Sequence, residues 1–106
     1  MAKYLVKASY TSQGTEGVQS GGGTSRRDAV AAMAQGLGGN VESFYFAFGD
    51  TDAYVVLDVP NNVSAAAASI AVNASGGAAC EVVVLLTPEE IDEAAKISVD
   101  YRPPGS

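Results

Sequence analysis

The chain has 106 residues, 47% of them hydrophobic, and a formal net charge of −6 from twelve acidic and six basic residues, with no histidine. That length suits one domain around a single core and is too short for two. The scattered lysines and arginines argue against a nucleic-acid or anionic-membrane partner, which needs a concentrated basic patch, and the lack of histidine removes Ser-His-Asp and Cys-His catalysis and His-containing zinc sites.

Residues 3 to 10 alternate, with Tyr4, Val6, Ala8 and Tyr10 on one face and Leu5, Lys7 and Ser9 on the other, which predicts a first strand. Residues 12 to 23 are rich in glycine with Val18 as the one sizeable apolar group, so a mobile connection with one helical turn near Thr15 to Ser20 is expected. A better helix opens at Thr24-Ser25-Arg26-Arg27-Asp28, with Ser25 as cap and Asp28 completing a variant capping box. Val30, Met33, Ala34 and Leu37 form its apolar stripe, and Gly38-Gly39 stop it.

Two strands follow, about Val41 to Phe48 and Ala53 to Val59, joined across Gly49-Asp50-Thr51-Asp52 as a hairpin. Pro60-Asn61-Asn62 ends the pair and offers an N-cap. Val63 to Ser75 is an alanine-rich helix smooth enough to approach a sheet closely, closed by Gly76-Gly77. Cys80 to Leu86 reads as a fourth strand. Thr87-Pro88-Glu89-Glu90 then starts a last helix, with Thr87 as cap, Pro88 at the first helical position and Glu90 reaching back. That helix ends near Lys96, and the tail through Pro103-Pro104-Gly105 is not helical.

This order predicts an α+β, ferredoxin-like double split βαβ with a four-stranded antiparallel sheet and a C-terminal helix, occupying residues 1–97 ahead of a tail at 98–106. The second and fourth predicted strands are apolar on both faces, whereas the two main helices of such a fold cover only one. A bare sheet face exceeds what a monomer usually exposes, so a second copy of the same sheet is the expected cover, with further assembly through the terminal helix or tail.

Several segments resemble the GYD domain family, a member of the dimeric α/β-barrel group of ferredoxin-like proteins: Tyr4-Leu5-Val6 to Tyr10-Thr11, Gly22-Gly23-Thr24-Ser25-Arg26-Arg27, Gly38-Gly39, Phe44-Tyr45-Phe46 to Gly49, and Leu85-Leu86-Thr87-Pro88-Glu89-Glu90. Gly49 and Asp52 fit the Gly, Tyr, Asp signature that the resemblance places in the central hairpin, while Thr51 stands where a tyrosine is usual. The resemblance implies the fold and the dimer and assigns no reaction.

Three groups of residues are candidates for chemistry. Gly21 to Arg27 resembles an anion cradle, in which backbone N–H groups, two hydroxyls and the guanidinium groups of Arg26 and Arg27 converge at a helix N-terminus; the alternatives are arginines paired with acidic surface or a partner subunit, or a solvated loop. Asp50 and Asp52 lie two apart and suit a divalent cation, a shared proton, or bonds to nearby backbone in the turn. Tyr10, Tyr45 and Tyr54 come from three strands and either line one end of a cleft or belong to the core.

Cys80 beside Glu81 in an apolar run reads as an inert buried thiol, and as the only cysteine it forms no internal disulfide. The acidic residues Glu89, Glu90, Asp92 and Glu93 read as a solvated helix face.

No run approaches the roughly 20 apolar residues of a membrane span, and the first residues lead into strand alternation, so a cytoplasmic protein is expected. No cofactor or metal is expected. The reading is a homo-oligomeric domain that binds a polar or acidic small molecule near Arg26, Asp52 and the tyrosines. The alternatives are a cofactor-free oxygenase or isomerase using Asp52 or a tyrosine as general acid or base, by analogy with the wider barrel group, and a structural or regulatory assembly protein.

Overall fold

The computed structural model describes residues 1–105, which form β1 (Ala2–Tyr10), α1 (Ser12–Gly21), α2 (Gly23–Gly36), β2 (Asn40–Phe46), β3 (Ala53–Val59), α3 (Asn62–Ala74), β4 (Ala78–Leu85) and α4 (Pro88–Ala95). The strands make one antiparallel sheet in the order β2-β3-β1-β4. Thus β1-α2-β2 and β3-α3-β4 are interleaved split βαβ units, an α+β sheet of ferredoxin-like topology.

The alternation of the strands decides which side the helices cover. Ala53, Val55, Leu57 and Val59 of β3 are all buried, and Tyr4 and Ala8 of β1 share their face through the Tyr4↔Leu57 and Ala8↔Ala53 pairs. α3 lies close on this face because its buried positions, Ala65 and Ala68, carry only a methyl group. α2 contributes fully buried Ala34, with Val30 and Leu37 against the same cluster. Burying a side chain such as Leu57 contributes roughly 1.5–3 kcal/mol. At the rim, the Tyr4 hydroxyl donates to Asn62 Oδ1 at 2.6 Å, which satisfies the one polar atom of a side chain that is 1% exposed.

Caps and close approaches set the helix ends. Asn61 accepts the Ser64 N–H at 3.0 Å and starts α3. Thr87 and Glu90 form the expected reciprocal box on α4, with Glu90 N–H to Thr87 Oγ1 at 3.1 Å and Thr87 N–H to Glu90 Oε1 at 2.9 Å. Gly39 has to be glycine, because a Cβ there would stand 2.0 Å from the Asp58 carbonyl oxygen.

Three local expectations are corrected. The glycine-rich segment forms a ten-residue helix, α1, whose Thr11 side chain accepts the Gly14 N–H; this cap and the Thr11 N–H bond to Gly77 O at 3.1 Å outweigh poor propensity. The N-cap of α2 falls three residues earlier than expected, at Gly22 (φ 85°), so Ser25 lies inside the first turn and does not cap. β2 ends at Phe46, leaving Phe48 fully exposed in the turn.

The other sheet face carries Lys3, Leu5 and Lys7 of β1, opposite Asp58, Val56 and Tyr54 of β3 and opposite Leu85, Val83 and Glu81 of β4. No described helix covers it. Its two outer edges differ. β2 is bulged between Val41 and Ser43, where Glu42 turns to Lys3 at 3.4 Å, while β4 pairs with β1 through eight consecutive residues without interruption.

α4 and the chain after it stand away from this body. α4 has no buried residue, and Ile91, Ile97, Val99 and Tyr101 are all exposed. The radius of gyration is 16.7 Å, with extents of 56 × 33 × 22 Å, against about 13 Å for a compact chain of this length. No described helix is long and apolar enough to cross a membrane.

Candidate functional site

β1 ends at Tyr10, on the helix-covered face and half-buried. Its ring lies 6.4 Å from that of Phe46, which in turn lies 5.0 Å from Phe44. Gly23 makes room for this aromatic row, since a Cβ there would meet the Phe46 ring at 2.9 Å. The start of α2 can therefore rest against Phe46, and Arg26, one turn further on, faces the Tyr10 phenol.

The electrostatics of the pair follow from that placement. Burial pushes the Tyr10 phenol above its usual pKa, and the nearby Asp52 carboxylate adds to this, while the Arg26 guanidinium pulls it back by favouring the phenolate. The phenol therefore stays neutral at physiological pH and is available as a donor. The ion pairs among the described residues are Lys3 with Glu42 and Asp58, and Arg27 with Asp28; Arg26 has no carboxylate partner.

Tyr10 and Arg26 border two spaces. Between the sheet and the α2/α3 layer lies an apolar cavity of about 40 Å³, walled by side chains such as Val30, Met33, Val55, Val72 and Val82. Outside it, between α1, the first turn of α2 and the α3–β4 turn, lies a cleft of about 250 Å³. Its lining includes four glycines, Gly14, Gly17, Gly22 and Gly77, with Ser25 and Ser75 beside them. Tyr10, Arg26 and Ala78 line both spaces. The inner cavity has room only for water-sized occupants, so a larger molecule has to sit in the outer cleft.

The seven expected site residues do not gather at one place. Arg27 diverges from Arg26 by the helical rotation of neighbouring residues and borders a separate shallow groove beside Phe44 and Phe46. Tyr45 and Tyr54 are cross-strand partners on the uncovered sheet face, both exposed, and so lie on the opposite side of the sheet from Tyr10. The Asp52 carboxylate is committed to backbone: its Oδ2 accepts the Tyr10 N–H at 2.8 Å. Asp50 is exposed, and its carbonyl accepts the Ser9 hydroxyl at 2.6 Å. Among the described residues no cluster of three or more Cys, Asp or Glu side chains is arranged to hold a metal ion.

Cys80 is half-buried in the wall of the inner cavity, its Sγ 3.8 Å from Ser69 Oγ. Sequence reasoning did not find the glycine-walled cleft. The signal for it was present in the spacing of Gly14 and Gly17, three residues apart, which puts two positions without side chains on one side of a helix.

No curated protein and no solved structure matches this chain. A family model does, the GYD domain, over residues 4–95. That span runs from the first buried side chain of β1 to the last residue of α4 and includes every residue of the cleft, and the chain belongs to the GYD domain family.

Proposed function

We propose that this chain is a homo-oligomeric domain that binds a small acidic metabolite in the cleft between α1 and α2. The observation that carries the reading is Arg26, a half-buried guanidinium without a carboxylate partner, set beside a neutral phenol at the junction of a polar cleft and an apolar cavity. A carboxylate or phosphate on the ligand supplies the missing counter-charge in bidentate geometry. A cleft of about 250 Å³ is smaller than the roughly 300–1,000 Å³ typical of drug-sized ligands, which favours a compact molecule. The homo-oligomeric part rests on the uncovered sheet face with Leu5, Val56, Val83 and Leu85, flanked by exposed Tyr45 and Tyr54.

The test is thermal stabilisation by inorganic phosphate and by acetate, benzoate and phenylacetate. Ligand at 100 times its Kd adds about 2.7 kcal/mol. The stabilisation is expected to vanish in Arg26→Ala and persist in Arg27→Ala. Equal loss in both variants, or an unchanged response in Arg26→Ala, removes Arg26 as the anchor.

A further inference from the structure

The residues after α4 carry a pattern that their conformation does not use. Ile97, Val99 and Tyr101 alternate with Ser98, Asp100 and Arg102, the period of a half-buried strand. Yet 97–102 lies outside every strand, with its three apolar side chains between 67% and 75% exposed. No backbone hydrogen bond ties Ser98 through Tyr101 to any described residue.

The sheet has an edge in the complementary condition. An exposed, regular, apolar strand edge templates strand addition unless a bulge, proline or charge blunts it. β2 is blunted by its bulge at Val41/Ser43 and by Glu42. β4 is regular from Ala78 to Leu85, its one charge is Glu81, and Val83 and Val84 are 36% and 54% exposed. The Asn73 side chain accepts the Cys80 N–H at 2.8 Å and donates to the Cys80 C=O at 3.4 Å, and beyond it the edge over residues 81–85 faces no strand.

We propose that residues 97–102 of one copy add as a fifth strand to the β4 edge of a second copy, and that the exchange is reciprocal. The positions of the two elements in the chain favour a second copy as occupant. α4 begins at Pro88, three residues after β4 ends at Leu85, and carries the segment outward. A two-fold operation that brings one copy's segment to the other's β4 therefore brings the reverse pair together as well, and both open edges are closed by one isologous interface. Main-chain bonds supply the affinity of such an added strand, and the alternating Ile97, Val99 and Tyr101 supply its register. α4 acts as the spacer, its start fixed by the Thr87–Glu90 box.

The inference rests on the homo-oligomeric part of the proposed function, and hydrogen exchange read together with native mass separates the two. The full chain is measured across a dilution series, with Val99→Pro beside it. Val99 is 75% exposed in the single copy, so the fold tolerates the change, while proline removes a ladder N–H. The expected result is a dimer in which amides of 97–102 exchange on the order of 100-fold more slowly than in a free peptide, with protection lost on dilution and in Val99→Pro.

A dimer whose 97–102 amides exchange freely overturns the added strand and leaves the sheet-face dimer standing. Protection that persists in a monomer assigns the segment to its own copy and also overturns it. Protection unaffected by Val99→Pro does the same, and an unprotected monomer overturns both readings.

Discussion

Asp52 fixes Tyr10 through the main chain: one carboxylate oxygen accepts the Tyr10 N–H at 2.8 Å, while the Asp52 N–H donates to Ala8 O at 2.8 Å. The hairpin turn is thereby stitched to the end of β1 where the cleft begins. Asp52→Ala is expected to cost about 1.5–3 kcal/mol, the range for a hydrogen bond to a charged group. Asp52→Asn keeps an acceptor and is expected to lose less. Urea denaturation of the two variants checks this, and equal losses would mean that charge and not the bond is what matters.

The Tyr10 phenol gives a pH signature with a definite sign. Its pKa is raised in the folded state, first by burial, so above pH ~10 the unfolded chain loses this proton before the folded one does. Stability is fully present below that pH and falls as pH rises through the folded value. Lys3 acts in the same direction, because its hydrogen bond to Asp58 holds the ammonium proton. Arg26→Ala removes the influence that lowers the phenol's pKa, so the ultraviolet phenolate titration of Tyr10 is expected to move further upward. A downward move would contradict the pairing of Arg26 with Tyr10.

Two glycines of α1 should respond oppositely to the same substitution. At Gly17 an added Cβ meets nothing within 4 Å, whereas at Gly14 it would lie 1.8 Å from the Gly77 carbonyl oxygen. Gly17→Ala is expected to stabilise the protein by up to ~1 kcal/mol through helix propensity. Gly14→Ala should destabilise it by about 1–3 kcal/mol through overpacking. Thermal midpoints of both variants decide it, and a shared sign would refute the close contact between α1 and the α3–β4 turn.

Tyr4→Phe isolates a single core hydroxyl. The ring keeps its burial, and the lost bond is the 2.6 Å contact to Asn62. Because Asn62 sits near solvent at the start of α3, water can replace the phenol there. The expected cost is about 0.5–1.5 kcal/mol, read from chemical denaturation.

Residues whose local chemistry agrees with the fold were the ones readable from sequence. The Thr87-Pro88-Glu89-Glu90 start, the Asn61 cap and the alternation of Tyr4, Val6, Ala8 and Tyr10 each have one sensible solution, and the structure adopts it. α1 was not legible, because its glycines argue against helix and its hold comes from bonds to Gly76 and Gly77, more than 60 residues away.

The site was legible residue by residue but not as a set. Alternation placed Tyr10 with Ala8 and Tyr45 opposite Phe44, yet only the strand register reveals that Tyr54 sits beside Lys7, across the sheet from Tyr10. The strand pattern of 97–102 was visible in the sequence and hidden by the neighbouring prolines, which drew attention only to the end of the helix.

The glycines of α1 also have a kinetic meaning. This helix has no buried residue, and each interior glycine costs up to about 1 kcal/mol relative to alanine. Its attachment is concentrated at Thr11, so it is the wall of the cleft that detaches at the least cost. Under the proposed function, ligand release is expected to follow detachment of this wall and not loosening of the sheet. The same small side chains that open the cleft also leave its wall lightly held.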